Sequence, residues 1–292
     1  MSIFKELKQQ YFIGGVVEKL IYWNVLLFAI PYVLVGILSL FSIKLDFITY
    51  ISLSSNSLEL LWKPWSLFTY SFFHSDFLHI LFNLIIFHFV SRFFLTFFTQ
   101  KQLLSLYLLG GAFAGLVYIT SYLIFSALQD NQLLIGASGA VMAILFAVAT
   151  FSPNMQIRLL LIGNVKMWHI AVFYLIVDLI SLSSNNVGGH LAHLGGALFG
   201  YLFSLQIKKG IDITKSFTSF MDYVVNLFKP RKSKPFKMVH KNKASNQITN
   251  KKVVNNLSSS QKQIDTILDK ISKSGYDSLT KVEKDFLFRA GK

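Results

Sequence analysis

Up to Ile207 the chain alternates long apolar runs with short polar breaks. The runs are the length of membrane-crossing helices, not of strands. The pattern predicts six: about Ile21–Ser42, Phe77–Phe98, Leu103–Leu128, Ala137–Phe151, Trp168–Leu182 and Gly189–Ile207. Pro31 falls inside the first as a tolerated kink. The fifth reads as extendable backward through Leu159–Ile162. The fourth spans only about 22 Å of a roughly 30 Å hydrocarbon core, so its first residues are expected below the membrane surface. Residues 43–76 form a loop rich in serine and aromatics, and Trp62 and Trp65 suit the headgroup level. The expected fold is all-α, a polytopic bundle of six transmembrane helices at 21–207 with a cytoplasmic C-terminal tail.

Basic residues orient this bundle. Lys5, Lys8 and Lys19 precede the first span, Arg92 and Lys101 edge the connection after the second, and Arg158 and Lys166 edge that after the fourth. The connections after the third and fifth spans carry no Lys or Arg, whereas the first outer loop has Lys44 and Lys63. The positive-inside rule then puts both termini in the cytoplasm. Residues 1–20 read as a retained cytoplasmic lead-in, because no cleavage-site pattern precedes a long apolar span.

Composition agrees with a membrane protein: 53% of residues are hydrophobic, only 14% are charged, and 29 are Phe. With no Cys, disulfides, thiolate metal sites and cysteine nucleophiles are excluded together. Of the 28 Lys and Arg, 19 lie from Lys208 onward against 7 of the 14 acids, so the tail carries +12 of the net +14. A basic tail behind a membrane domain points to anionic lipid; no nucleic-acid reader motif accompanies the lysines, so no nucleic acid is expected. Phe217, Phe220, Met221, Val224 and Phe228 space an amphipathic interfacial helix over 208–228. A basic linker is expected at 229–263 and a small helical segment at 264–292. There Ile264, Ile267, Leu268 and Ile271 share a face, Gly275 interrupts it, and Thr280 with Glu283 forms a capping box. What this tail binds is not encoded in any motif.

The candidate chemistry lies where the fourth span begins. Gly136, Ala137, Ser138 and Gly139 put a hydroxyl among small residues at a helix start, where free N–H groups face outward. A serine needs a base to become a nucleophile, and His193 is the candidate. Spans two, four and six all start at the outer face. His79 and Asn83, Ser138, and His193 therefore come to one depth in one leaflet. Gly139, Ala143 and Ala147 repeat at four-residue spacing, as do Ala192, Gly196, Gly200 and Ser204. If these seams meet, backbones nearly touch and the serine comes within about 3 Å of the histidine. Packing alone also explains either stripe. His79 and Asn83, one turn apart, either donate to an oxyanion or bond helix to helix. His190 and His193 with His79 suggest a metal only weakly, because no HExxH is present and carboxylates are scarce; no metal and no cofactor is expected. Asp178, near the same depth, either orients a histidine or bonds structurally. His74 reads as a loop residue near the site, and His88 and His169 lie towards the inner half.

Three motifs together resemble the rhomboid intramembrane serine proteases of bacterial type: Gly136-Ala-Ser138-Gly139; Ala192-His193-Leu-Gly-Gly196 with Gly200; and His79-Ile-Leu-Phe-Asn83 behind Phe73-His74. Where that family commonly has Trp-Arg, this chain has Trp62-Lys63-Pro64-Trp65. The resemblance covers about Trp62–Tyr201. It implies a serine endopeptidase with a Ser138–His193 dyad and no acid, and an oxyanion site of the Ser138 N–H, His79 and Asn83 beside Gly136. Gly139, Gly196 and Gly200 would pack the site helices. The implied partners are single-span membrane proteins, entering between spans two and five, and membrane lipid. The implied location is a bacterial inner membrane. The competing reading is a non-catalytic membrane protein that binds transmembrane clients or moves a solute. A transporter would favour inverted repeats and broken midplane helices, and neither is visible.

Overall fold

The computed structural model describes residues 3–128, 132–159, 163–183, 186–228 and 251–290, in two compact units that divide after Lys229. In the first unit, α1 (Ile3–Ile13) and α2 (Val16–Leu40) lead into a loop of short helical turns at 48–72. Then come α3 (Phe77–Phe94), α4 (Gln100–Ile124), α5 (Ser138–Phe151), α6 (Met167–Ile180), α7 (Val187–Lys208) and α8 (Lys215–Phe228).

α5 is the hub. Its sequence, SGAVMAILFAVATF, is apolar on every side, and Gly139 to Leu145 and Ala147 to Ala149 are buried. A helix apolar all round belongs inside a bundle, and small side chains let its neighbours close on it. α2 is the reverse case. Only Val17, Leu20 and Asn24 are buried, while Ile30, Val33 and Ile37 are exposed, the signature of a face turned to lipid. Its buried Asn24 donates to the Tyr107 hydroxyl at 3.3 Å, and Tyr107 donates to the Ser71 carbonyl at 2.7 Å, tying α2, α4 and the first loop together.

α2, α3 and α4 are long and apolar enough to cross a membrane; Ser138–Phe151 and Met167–Ser183 are shorter apolar helices. The sequence misreads several boundaries. The first long helix starts at Val16, where the first span is expected from Ile21, and residues 3–13 of the lead-in are themselves helical. The fold is mostly helical but not purely so. β1 (Leu53–Ser54) pairs antiparallel with β2 (Leu133–Leu134), and β3 (Gln156–Leu159) with β4 (Gly163–Lys166). The second pair overturns the backward extension of the fifth span. Gly163 takes φ +87°, so the chain reverses there instead of continuing a helix; residues 160–162 lie outside the described residues.

α8 lies against the start of α4. Lys101 pairs with Asp222 at 2.6 Å, Gln102 donates to Asp212 at 2.9 Å, and Ser105 and Thr218 share a hydrogen bond at 3.0 Å. Phe220, Tyr223, Leu227 and Phe228 stay exposed.

In the second unit, α9 (Lys251–Ser274) ends at Gly275, whose φ of +78° stops it, and α10 (Lys281–Ala290) follows. α9 begins twelve residues before the end of the expected linker; residues 229–250 of that linker lie outside the described residues. The reason is phase: Leu257, Ile264 and Ile271 recur every seventh residue, and a Lys/Asn/Ser-rich composition does not prevent a helix. Glu283 accepts from the Thr280 N–H at 2.7 Å and from Lys270 at 2.9 Å. The Thr280 N–H foremost, then Lys270, hold its carboxyl down at about 2. A depressed carboxyl stabilises above its ordinary value near 4.5 and loses that contribution as pH falls towards 2. Protection from hydrogen exchange at the start of α10, taken relative to the intrinsic rate at each pH, should therefore fall across that window, and Glu283→Gln should show the same reduced protection at pH 7.

Candidate active site

Ser138 is the first residue of α5. Three contacts fix the segment that delivers it. β2 is laddered to β1 in the first loop, the Ser55 N–H donates to the Gln132 carbonyl at 2.9 Å, and the Gly136 N–H donates to the Tyr70 carbonyl at 2.9 Å. Gly136 takes φ +126°, and a Cβ there would meet His79 Nε2 at 2.7 Å. Glycine is thus required twice at one position, by its dihedral and by the ring beside it.

The two small-residue seams do meet. A Cβ on Gly196 would collide with the Gly139 carbonyl oxygen, and one on Gly200 with that of Ala143. Ser204 donates to the Ala147 carbonyl one step further along. At the far end of this seam Lys208 donates to the Thr150 carbonyl at 2.7 Å, placing a cation at the C-terminus of α5. Backbone contact over three turns sets α7 against α5 with little freedom to slide. One turn above Gly196, His193 Nε2 lies 2.7 Å from Ser138 Oγ.

Behind the imidazole is Asp178 of α6, 3% exposed. Its Oδ1 is 2.8 Å from His193 Nδ1 and 2.8 Å from His190 Nδ1. Among the described residues these three side chains form the one His/acid cluster close enough for a cation, their ligand atoms all lying within 4.8 Å of one another. Both imidazoles already stand at hydrogen-bonding distance from the carboxylate.

On the other side of Ser138, α3 begins at its cap Asp76, which accepts from the His79 N–H at 2.9 Å. Tyr32 of α2 donates to the carbonyls of His74 and Ser75, holding that turn. His79 Nδ1 faces the Ser75 N–H at 3.4 Å and Ser75 Oγ at 2.9 Å, while Nε2 faces Gly136. A backbone N–H can only donate, which favours Nδ1 as acceptor and leaves the ring proton on Nε2. Asn83 spends one amide hydrogen on the His79 carbonyl at 2.9 Å. His74 is buried, its ring 5.1 Å from that of His79. His88 and His169 lie away from the serine; His169 lines an apolar groove described below.

Residues 61–209 match the family model for the Rhomboid domain, just over half of the chain and all of the residues described above from Trp62 to Lys208. The chain belongs to the rhomboid family. It is 31% identical over 139 residues to Presenilin-associated rhomboid-like protein A, mitochondrial, of Danio rerio. That match covers 44% of this chain and 34% of the other, so the shared part is about a third of the relative's length. Residues 251–290 match a second family, DUF6576, of unknown function. The rhomboid domain and its apolar helices make this an integral membrane protein.

Sequence reasoning named Asp178 but left its role between orienting a histidine and bonding structurally, and it missed the β1–β2 ladder. The first has a weak signal, a lone carboxylate in an apolar run. The second has none, since two-residue strands carry no period.

Proposed function

We propose that this rhomboid is an intramembrane serine endopeptidase that cleaves transmembrane segments near the outer leaflet. The reading places α2 to α7 as six spans and both termini on the cytoplasmic side. The observation that carries it is the 2.7 Å contact between Ser138 Oγ and His193 Nε2 within a rhomboid domain. Ser138 Oγ attacks the scissile carbonyl carbon as its proton passes to His193 Nε2. The C–N bond then breaks and the leaving amine takes that proton. Water, deprotonated by the same nitrogen, opens the acyl-enzyme and returns Ser138 to its hydroxyl form. The Ser138 N–H at the helix start, His79 Nε2–H and the second amide hydrogen of Asn83 are the donors for the oxyanion.

Substrate access is supported by an apolar groove of about 540 Å³ between α3 and α6, lined by Ile85, Phe89, Leu145, His169 and Phe173 among others. Neither Ser138 nor His193 lines it, which suits a surface holding the rest of a transmembrane helix while its unwound end reaches the site. Trp62, 81% exposed, and Trp65, whose indole donates to the Tyr50 carbonyl at 2.9 Å, suit the headgroup layer over the first loop.

The test is labelling by a serine-directed fluorophosphonate in detergent. Labelling that is lost in Ser138→Ala supports the protease; folded protein that never labels would move this chain to the client-binding reading. A companion prediction concerns the tail. A chain ending at Lys229 should cleave at the full-length rate, since every site residue precedes it. Ending at Lys209 should instead destabilise the protein, because Asp212 before α8 and Thr218 and Asp222 within it hold this segment to α4. Thermal unfolding and initial rates on both chains check this.

A further inference from the structure

We infer that Asp178 is a positioning residue for His193, which makes the site a Ser138–His193–Asp178 relay-like array and not an isolated dyad; the inference rests on the protease reading above. Burial is the first reason. A carboxylate 3% exposed must be hydrogen-bonded, and a purely structural one would satisfy both oxygens. Here both contacts converge on Oδ1, at 2.8 Å each, while Oδ2 is buried with no hydrogen-bond partner. Both donors are imidazole Nδ1 atoms of α7, the helix that carries the base. The carboxylate is spent on the histidines alone.

Tautomer is the second reason. An ionised carboxylate only accepts, so each Nδ1 facing Oδ1 carries a proton. For neutral His193 this leaves Nε2 as a lone pair, and Nε2 is the atom 2.7 Å from Ser138 Oγ. Free of Asp178, the ring divides its time between tautomers, and the one with a proton on Nε2 cannot accept from serine. The buried charge also faces the imidazolium that forms when the serine proton moves, in a setting where water screens little. His190 approaches the same oxygen from one turn nearer the helix start and steadies the carboxylate's rotamer.

Full-length protein in proteoliposomes, cleaving a single-span substrate, tests this with Asp178→Ala and the same-sized Asp178→Asn. The expected result is a kcat lower by about 10²- to 10⁴-fold in Asp178→Ala, KM unchanged, and fluorophosphonate labelling slowed in proportion. Asp178→Asn, which keeps the shape, loses the charge and can turn its amide N–H towards Nδ1 to hold the wrong tautomer, should fall at least as far as Asp178→Ala. His190→Ala should lose about fivefold in kcat, the worth of one hydrogen bond that acts at second hand. A lowered melting temperature with kcat within twofold of wild type in Asp178→Asn would make the residue structural and overturn the inference. So would loss of wild-type activity on chelation, which would give Asp178, His190 and His193 to a cation. Wild-type protein that neither cleaves nor labels overturns the protease reading itself, a result separable from the other two.

Discussion

His193→Ala and Ser138→Ala should each lower cleavage of a transmembrane substrate by about 10⁴-fold or more, and neither variant should label with fluorophosphonate. The two losses are alike because the groups act as a unit. A serine hydroxyl gives up its proton only as it attacks, and His193 Nε2, at 2.7 Å, is the acceptor in reach. His79→Ala should behave differently. It removes one oxyanion donor and leaves nucleophile and base in place, so the rate falls by about 10²- to 10³-fold and slow labelling persists. Initial rates in proteoliposomes, alongside thermal unfolding of each variant, give the ranking. A His193→Ala protein that still cleaves within tenfold of wild type would show that another group takes the proton and that the site is misassigned.

The chain's spacing makes part of this site legible. Small residues at 139, 143 and 147 and at 196, 200 and 204 encode two faces that only close backbone contact can use, and the structure lays one on the other. Ser138 and His193 flank those faces, so their approach follows from the packing. Asp178 is harder to read. It is fifteen residues from His193 in sequence, and nothing in an apolar run fixes which way its carboxylate turns. A charged side chain in such a run is costly unless partnered, and that cost is the signal sequence reasoning can use.

Other elements escape because their pattern is ambiguous or absent. The run around Leu159 reads as easily as helix or strand, and Gly163, with φ +87°, decides for a hairpin. The ladder of Leu53 with Leu134 joins residues about eighty positions apart in two-residue strands. It nonetheless sets where α5 begins, and so where the serine hydroxyl points. α9 shows the opposite error: a Lys/Asn/Ser-rich composition suggests a linker, while a seven-residue apolar phase runs through it.

The second large effect is expected at Gly196. In an exposed helix, Gly→Ala stabilises by about 1 kcal/mol through backbone entropy. Here the added Cβ would collide with the Gly139 carbonyl oxygen, and the partner is backbone, which has no rotamer to change. Overpacking a tight contact costs about 1–3 kcal/mol, so the balance turns unfavourable and α7 must move off α5. His193 is one turn away on the same rigid helix and moves with it. A shift of about 1 Å between base and nucleophile costs about a hundredfold in rate. Gly196→Ala should therefore lower kcat by about that factor, slow Ser138 labelling equally, and reduce thermal stability. Gly36 of α2 supplies the control, because nothing lies within 4 Å of a Cβ built there. Gly36→Ala should leave the rate unchanged and the melting temperature equal or higher. A Gly196→Ala protein with the wild-type rate would mean that the seam does not hold the histidine. The position of His193 would then have to come from its contact with Asp178.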